Sequence, residues 1–282
     1  MSPEQYCSEK VHRAGSLHYY SFLFVPDERQ RAITALHALS RELHDVVNDA
    51  HDPHVARTKL AWWRQETRSV YHGQPHHPVA RELAAVVESY PVDEARLNEL
   101  IDGVAMDLEY NAYPDFEALN VYCHRVAGVL AALSAEILGY EDRRTPDYAA
   151  MIGVAIQLTN IVRDVGRDAR RNRIYLPLHE LAQFGVTTDD IERGRESDSM
   201  RKLLESQITR ARGYYDDAFS NLPAVDRRSQ CSLLIMGAIG SKLLEEVGRN
   251  ACEVLRHRIE LTPIRMLWIA WRTRAFGCRT KQ

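Results

Sequence analysis

Apolar residues recur at three- and four-residue intervals along almost the whole chain, the spacing of one face of an α-helix. The pattern predicts helices over about 3–12, 26–49, 53–71, 78–90, 93–109, 115–138, 146–169, 199–220, 224–257 and 262–276. Their ends carry the expected punctuation. Pro26-Asp27, Asp52-Pro53, His77-Pro78, Asp93, Asp115 and Pro146 stand at starts, where proline and short polar side chains suit a first turn. Gly139 stands at a stop. Alternation of period two is absent, so the fold class expected is all-α, with helices around a shared interior.

Composition narrows this only modestly. The 282 residues are 45% hydrophobic and carry a net charge of −3, which gives no bulk attraction to nucleic acid. No low-complexity linker or internal repeat divides the chain, so residues 1–282 are read as a single domain. Cys7, Cys123, Cys231, Cys252 and Cys278 are scattered without Cys-x-x-Cys spacing, and are expected to be free thiols in a reducing compartment. The N-terminus lacks the apolar stretch of a signal peptide, and no apolar run looks long enough to span a membrane. A cytoplasmic location follows.

Two polar stripes interrupt this pattern. Gln157, Asn160, Asp164 and Asp168 recur at intervals of three, four and four, which places them on one side of a helix otherwise rich in apolar residues. Amides and carboxylates on a buried helix are costly unless something pairs with them. Oxygen ligands at this spacing suit a hard cation such as Mg²⁺, which takes a few carboxylates together with substrate phosphates. His37, Arg41, His44 and Asn48 form a second stripe on the helix that begins at Pro26. It reads either as a solvated face or as a wall opposite the first stripe. Asp45 and Asp49 lie about 100° further round that helix.

Residues 157–168, Gln-Leu-Thr-Asn-Ile-Val-Arg-Asp-Val-Gly-Arg-Asp, followed by Arg173-Ile-Tyr-Leu-Pro177, resemble the second aspartate-rich motif of the squalene/phytoene synthase family. Similar matches occur at Tyr19–Phe22, Arg31–Leu36, Lys59–Arg64, Asp102-Gly103, Met106–Leu108, Tyr122–Gly128 and Leu261–Arg272. The likeness is nearest to bacterial presqualene diphosphate synthases of squalene and hopanoid synthesis. It implies an isoprenoid-synthase helical bundle around a central cavity. It also implies head-to-head condensation of two farnesyl diphosphates, with Mg²⁺ assisting loss of diphosphate. By that resemblance Asp164, Asp168 and Arg41 are catalytic, and Asp164, Asp168 and Asn48 would hold metal. Gln157, Asn160, Arg163, Arg173, His37, His44, Ser16 and Asp107 would contact a prenyl diphosphate.

The resemblance also exposes departures. The family's first motif is Asp-x-x-x-Asp with an arginine three residues upstream. Arg41 matches the arginine, but His44 and Asn48 stand at the two carboxylate positions. His37 replaces a tyrosine, Leu17 and His18 replace a small-polar and aromatic pair, and Gly240 replaces a tyrosine on a late helix. These changes leave a catalytically weakened or inactive relative, acting as a lipid-binding or assembly protein, as the alternative reading.

The last helix adds a surface expectation. Arg265, Arg272, Arg274, Arg279 and Lys281 accompany Leu267, Trp268, Ile269, Trp271 and Phe276 with no acidic residue after Glu260. A basic helix with an aromatic face can lie on an anionic membrane, here the inner face, or can simply pack on the bundle.

Overall fold

The computed structural model describes residues 1–11, 17–50 and 52–278. Its elements are helical: α1 (Pro3–Val11), α2 (Leu17–Phe22), α3 (Asp27–Asp49), α4 (Pro53–His72), α5 (Pro78–Ser89), α6 (Glu94–Ala105), α7 (Phe116–Cys123), α8 (Val129–Leu138), α9 (Thr145–Ala169), α10 (Leu178–Phe184), α11 (Thr188–Glu192), α12 (Asp198–Asn221), α13 (Cys231–Arg249) and α14 (Pro263–Arg272). No strand forms among the described residues; a lone bridge joins Ala112 to Ile174. The all-α expectation holds.

The helices begin where the sequence offers acceptors for their free N–H groups. The Asp52 carboxylate accepts from the His54 amide at 2.8 Å, Asp93 from Arg96 at 2.8 Å, and Asp115 from Ala118 at 2.9 Å. Gly73, in the left-handed region at φ 92°, ends α4. At the centre lies α9, packed against α8, α12 and α13. Tyr148, Ile152, Ala155, Leu158, Ile161 and Val162 fill its buried side.

Several expectations shift in detail. The span 224–257 is not one helix. Asp226 is buried and its carboxylate accepts from the amides of Glu141 and Asp142 and from the Thr145 hydroxyl, so a 3-10 turn at Ala224–Asp226 is pinned ahead of α13. A second 3-10 turn, Ala251–Leu255, follows Asn250, whose φ of −145° breaks the helix. Helices α10 and α11 fall in a stretch too short and too polar for periodicity to reveal. The α7–α8 run is continuous through a π turn at His124–Gly128. That run, Phe116–Leu138, is long and apolar enough to cross a membrane, contrary to the sequence reading, yet 67% of its apolar window is buried. It is a core helix lying on α9.

The cysteine expectation is also corrected. Cys231 and Cys278 form a disulfide with their Cα atoms 5.5 Å apart. Cys231 opens α13, and a π turn at Thr273–Gly277 after α14 folds Cys278 back onto it, with the Arg227 side chain donating to the Gly277 carbonyl at 3.1 Å. Forty-seven residues separate the pair, so spacing gave no sign of it. Cys7, Cys123 and Cys252 are buried free thiols.

Gly166 on α9 allows a close backbone approach. A Cβ there would collide with the backbone carbonyl of Leu255, which cannot step aside as a side chain could. Gly166→Ala is therefore expected to cost about 2 kcal/mol, the range of overpacking. Thermal unfolding should show a Tm lower by roughly 4–8 °C; an unchanged Tm would refute the close approach.

Candidate functional site

At the C-terminal end of α9, Asp164 is 4% exposed and ringed by arginines. Arg163 donates to it twice, from Nε at 3.1 Å and Nη2 at 2.6 Å. Arg167 donates from Nη2 at 2.9 Å, and Arg258 from Nε at 3.1 Å. Arg258 also meets Glu260 at 2.7 Å. Burial alone would raise the Asp164 pKa. The Arg163 hydrogen bonds, then the charges of Arg163, Arg167 and Arg258, outweigh burial and hold the carboxyl below its ordinary value. Arg258 reaches this place because the turn at Ala251–Leu255 lies against Gly166.

Asp168, one helical turn on, is in a different state. Burial and the adjacent Asp164 charge push its pKa up to about 6, while its nearest cation, Arg167 Nε, stands at 3.7 Å. Across the site, Arg173 spans to α3. Its Nη1 donates to Asn48 Oδ1 at 2.7 Å and its Nη2 to the Val47 carbonyl at 3.1 Å. The same guanidinium is 3.9 Å from Asp107, which is 8% exposed and accepts from the hydroxyls of Tyr175 at 2.8 Å and Tyr122 at 3.3 Å. Burial raises the Asp107 pKa, against the opposing charge of Arg173 and the hydrogen bonds from Tyr175 and Tyr122. Burial lowers the His44 pKa, so its imidazole stays neutral near neutral pH, in reach of the charges of Asp107, Arg173 and Arg41. Arg173 thus ties the two predicted walls together, and a small cavity of about 10 Å³ lies beside it, lined by Asp168 and Tyr175 among others.

The remaining candidates divide. Gln157 and Asn160 are half-buried on α9, and their side chains make no hydrogen bond among the described residues. His37 is buried but sits in an aromatic nest, with its ring 4.6 Å from His18 and 5.3 Å from Phe22 and its Nε2 3.5 Å from the Ser134 hydroxyl. That places it against α2 and α8, apart from the arginine–carboxylate cluster. Ser16 lies outside the described residues. Asp45 is taken by Lys10 at 2.8 Å on the α1 side, and Asp49 is exposed, so neither replaces the carboxylates absent at His44 and Asn48. Gly240 faces the Tyr215 hydroxyl, which lies 3.0 Å from Thr159 Oγ1; any side chain at 240 would run into it. A tyrosine from α12 fills the space left on α13. His76 and His77 serve their own loop: both amides donate to Glu66, and the His77 ring caps α5. Sequence reasoning overlooked Arg258, 94 residues from Asp164, and the holding role of Arg167.

A sequence profile of squalene/phytoene synthases matches residues 11–265 of this chain. The chain belongs to the squalene/phytoene synthase family. It is 32% identical over 250 residues to phytoene synthase 2, chloroplastic, of Solanum lycopersicum, an alignment covering 86% of this chain and 81% of that protein. It is 33% identical to phytoene synthase, chloroplastic, of Daucus carota, over 86% of this chain and 63% of the carrot protein. Most of these plant relatives are thus considerably longer than the region shared. Among solved structures, a dehydrosqualene synthase in complex with ligand superposes with TM-score 0.87 at 22% identity, covering 98% of this chain and 96% of that one. Squalene synthase HpnC from Alicyclobacillus acidocaldarius gives 0.79 at 24%, covering 88% and 94%. These two likenesses show an isoprenoid-synthase-type helical fold.

Family members are prenyltransferases that work with a divalent metal ion. The donor set of this chain does not fit such an ion as it stands. Asp164 accepts four hydrogen bonds from three guanidiniums, the Asn48 oxygen is taken by Arg173, and His44 offers a nitrogen in place of an oxygen. Mg²⁺ requires several oxygen donors in octahedral array. Among the described residues no group of three acidic, histidine or cysteine side chains gathers as a metal cage.

The two aspartates of the motif predict opposite stability effects. Asp164→Asn leaves the mostly buried Arg163 without its carboxylate and should cost about 3–5 kcal/mol, read by urea unfolding near neutral pH. For Asp168 the folded pKa exceeds the unfolded one, so the folded state binds the extra proton between pH about 4 and 6. Stability from this group is complete below that window and is lost as pH rises through it, by about 2–3 kcal/mol. Asp168→Asn should flatten that slope in metal-free buffer; equal losses for both variants would contradict the assignment.

Proposed function

We propose that this chain condenses two farnesyl diphosphates head-to-head into presqualene diphosphate, releasing one diphosphate and one proton, within squalene or hopanoid synthesis. The observation that carries the reading is the gathering of Arg163, Arg167, Arg173 and Arg258 at one end of α9, in a chain of this family. Loss of diphosphate leaves an allylic cation and a developing polyanion. Guanidiniums match phosphate oxygens in pairs and neutralise that charge. Gln157 and Asn160, with no hydrogen-bond partner among the described residues, are suited to orient the second substrate. The apolar residues of α9 and its neighbours would exclude water from the cation.

A second reading is favoured by a specific observation. With His44 and Asn48 on the facing wall and Asp164 committed to arginines, a member that binds prenyl diphosphate without turning it over fits the same geometry. Incubation with farnesyl diphosphate and analysis of extracted products separates the two. Under the first reading presqualene diphosphate forms, and Arg173→Gln lowers the rate by about a hundredfold, as loss of roughly 3 kcal/mol of transition-state stabilisation would. Absence of product while the substrate still binds selects the second.

We also propose peripheral contact with the cytoplasmic face of a membrane through α14. Its outward side exposes Ile264 at 82%, Trp268 at 54% and Trp271 at 55%, with Phe276 at 67% in the following turn. Arg272 lies over the Trp268 ring at 5.4 Å, and Arg265 is held by Glu246 at 2.7 Å. By contrast Trp63 is core and Trp62 stands half out beside it. The cytoplasmic assignment draws on the basic charge of this helix, which suits an anionic leaflet, and no longer on free thiols. In flotation assays the protein should rise with vesicles containing anionic lipid, and Trp268→Ser with Trp271→Ser should abolish this. Equal recovery of both proteins would count against the contact.

A further inference from the structure

We propose that this chain receives the diphosphate of its prenyl substrate on the guanidiniums of Arg163, Arg167, Arg173 and Arg258, without a bridging divalent cation. The inference rests on the prenyl diphosphate reading above and deepens it.

Charge comes first. A pocket that recruits Mg²⁺ before diphosphate must be negative when empty. Here Arg41, Arg163, Arg167, Arg171, Arg173 and Arg258 act on the site, facing Asp45, Asp107, Asp164, Asp168 and Glu260. The arginines outnumber the carboxylates, so the pocket attracts an anion directly.

Placement comes next. A metal-binding design would bridge its two walls with a dication. In this chain Arg173 occupies that bridge, bonded to Asn48 on α3, near Asp107, and acting on the charge of Asp168 at the end of α9. The protein supplies its own cation between the walls. The identity of the α3 residues agrees: an amide can accept from an arginine without contributing charge, and a neutral imidazole adds none.

The remaining donors point the same way. Arg167 Nε is buried and makes no hydrogen bond among the described residues; its carboxylate neighbour, Asp168 Oδ1, stands at 3.7 Å, and such donors ordinarily find a closer acceptor. Two of the three Arg163 nitrogens are spent on Asp164, which leaves Nη1 for another acceptor. Asp164 then acts as a positioning residue: it locks three flexible side chains into one array, lowering the ordering cost a ligand would otherwise meet. Planar forks held in place suit a diphosphate with oxygens on both phosphorus atoms.

The test is calorimetric titration of the full chain with farnesyl thiodiphosphate, a slow-reacting analogue, in excess EDTA and again in Mg²⁺. The affinities are expected to agree within about threefold. Arg173→Gln and Arg167→Gln, each confirmed folded by an unchanged far-UV spectrum, should weaken binding by about tenfold in both buffers. The double variant His44→Asp, Asn48→Asp should make binding depend on Mg²⁺. Binding of the natural chain only with Mg²⁺ overturns the inference and leaves the prenyl diphosphate reading intact. No binding in either buffer overturns both. Binding in both buffers that neither arginine variant weakens overturns the assignment of the anion to these guanidiniums.

Discussion

Asp164 is the constraint on which the site depends. One buried carboxylate gathers Arg163 and Arg167 from its own helix and Arg258 from the segment beyond α13. A buried ion pair is weak evidence for stability, because desolvation consumes most of its Coulomb gain. Its value lies in order. Removing the carboxylate would leave Arg163 without its partner, and the segment that carries Arg258, still paired with Glu260, would lose its ionic attachment to α9.

That attachment also relies on packing. Gly166 lets the Ala251–Leu255 turn touch the helix backbone, and the turn sets the starting point for residues 256–260. Beyond it α14 packs on α13 and is tied back through Cys231–Cys278. A change in α14 would therefore reach the site mechanically, although no residue of α14 takes part in it.

Much of this was legible in the sequence. The period of three to four residues gave the long helices, and proline and aspartate marked their starts, because those signals are local. The polar stripe on α9 was visible for the same reason. What escaped depends on distance in space. Nothing near Arg258 shows that it answers Asp164. Two cysteines far apart look free until α14 folds back. Tyr215 filling the space opposite Gly240 pairs two helices whose order along the chain says nothing of their contact. His37 was placed on the right stripe, but a helix face does not reveal that α2 covers its upper half with His18 and Phe22. The Mg²⁺ expectation followed from residue type, helical spacing and the family resemblance, and partners that commit Asp164 and Asn48 to arginines, Arg258 and Arg173, come from elsewhere in the fold.

Asp164 either organises arginines or binds metal, and crystals grown with inorganic diphosphate and Mg²⁺ would decide between the two most directly. The account predicts diphosphate density against Arg163, Arg167 and Arg173, with Asp164 still bonded to its three guanidiniums and no metal on it. Density for a cation bridging Asp164 and Asp168, with those arginines swung away, would contradict it.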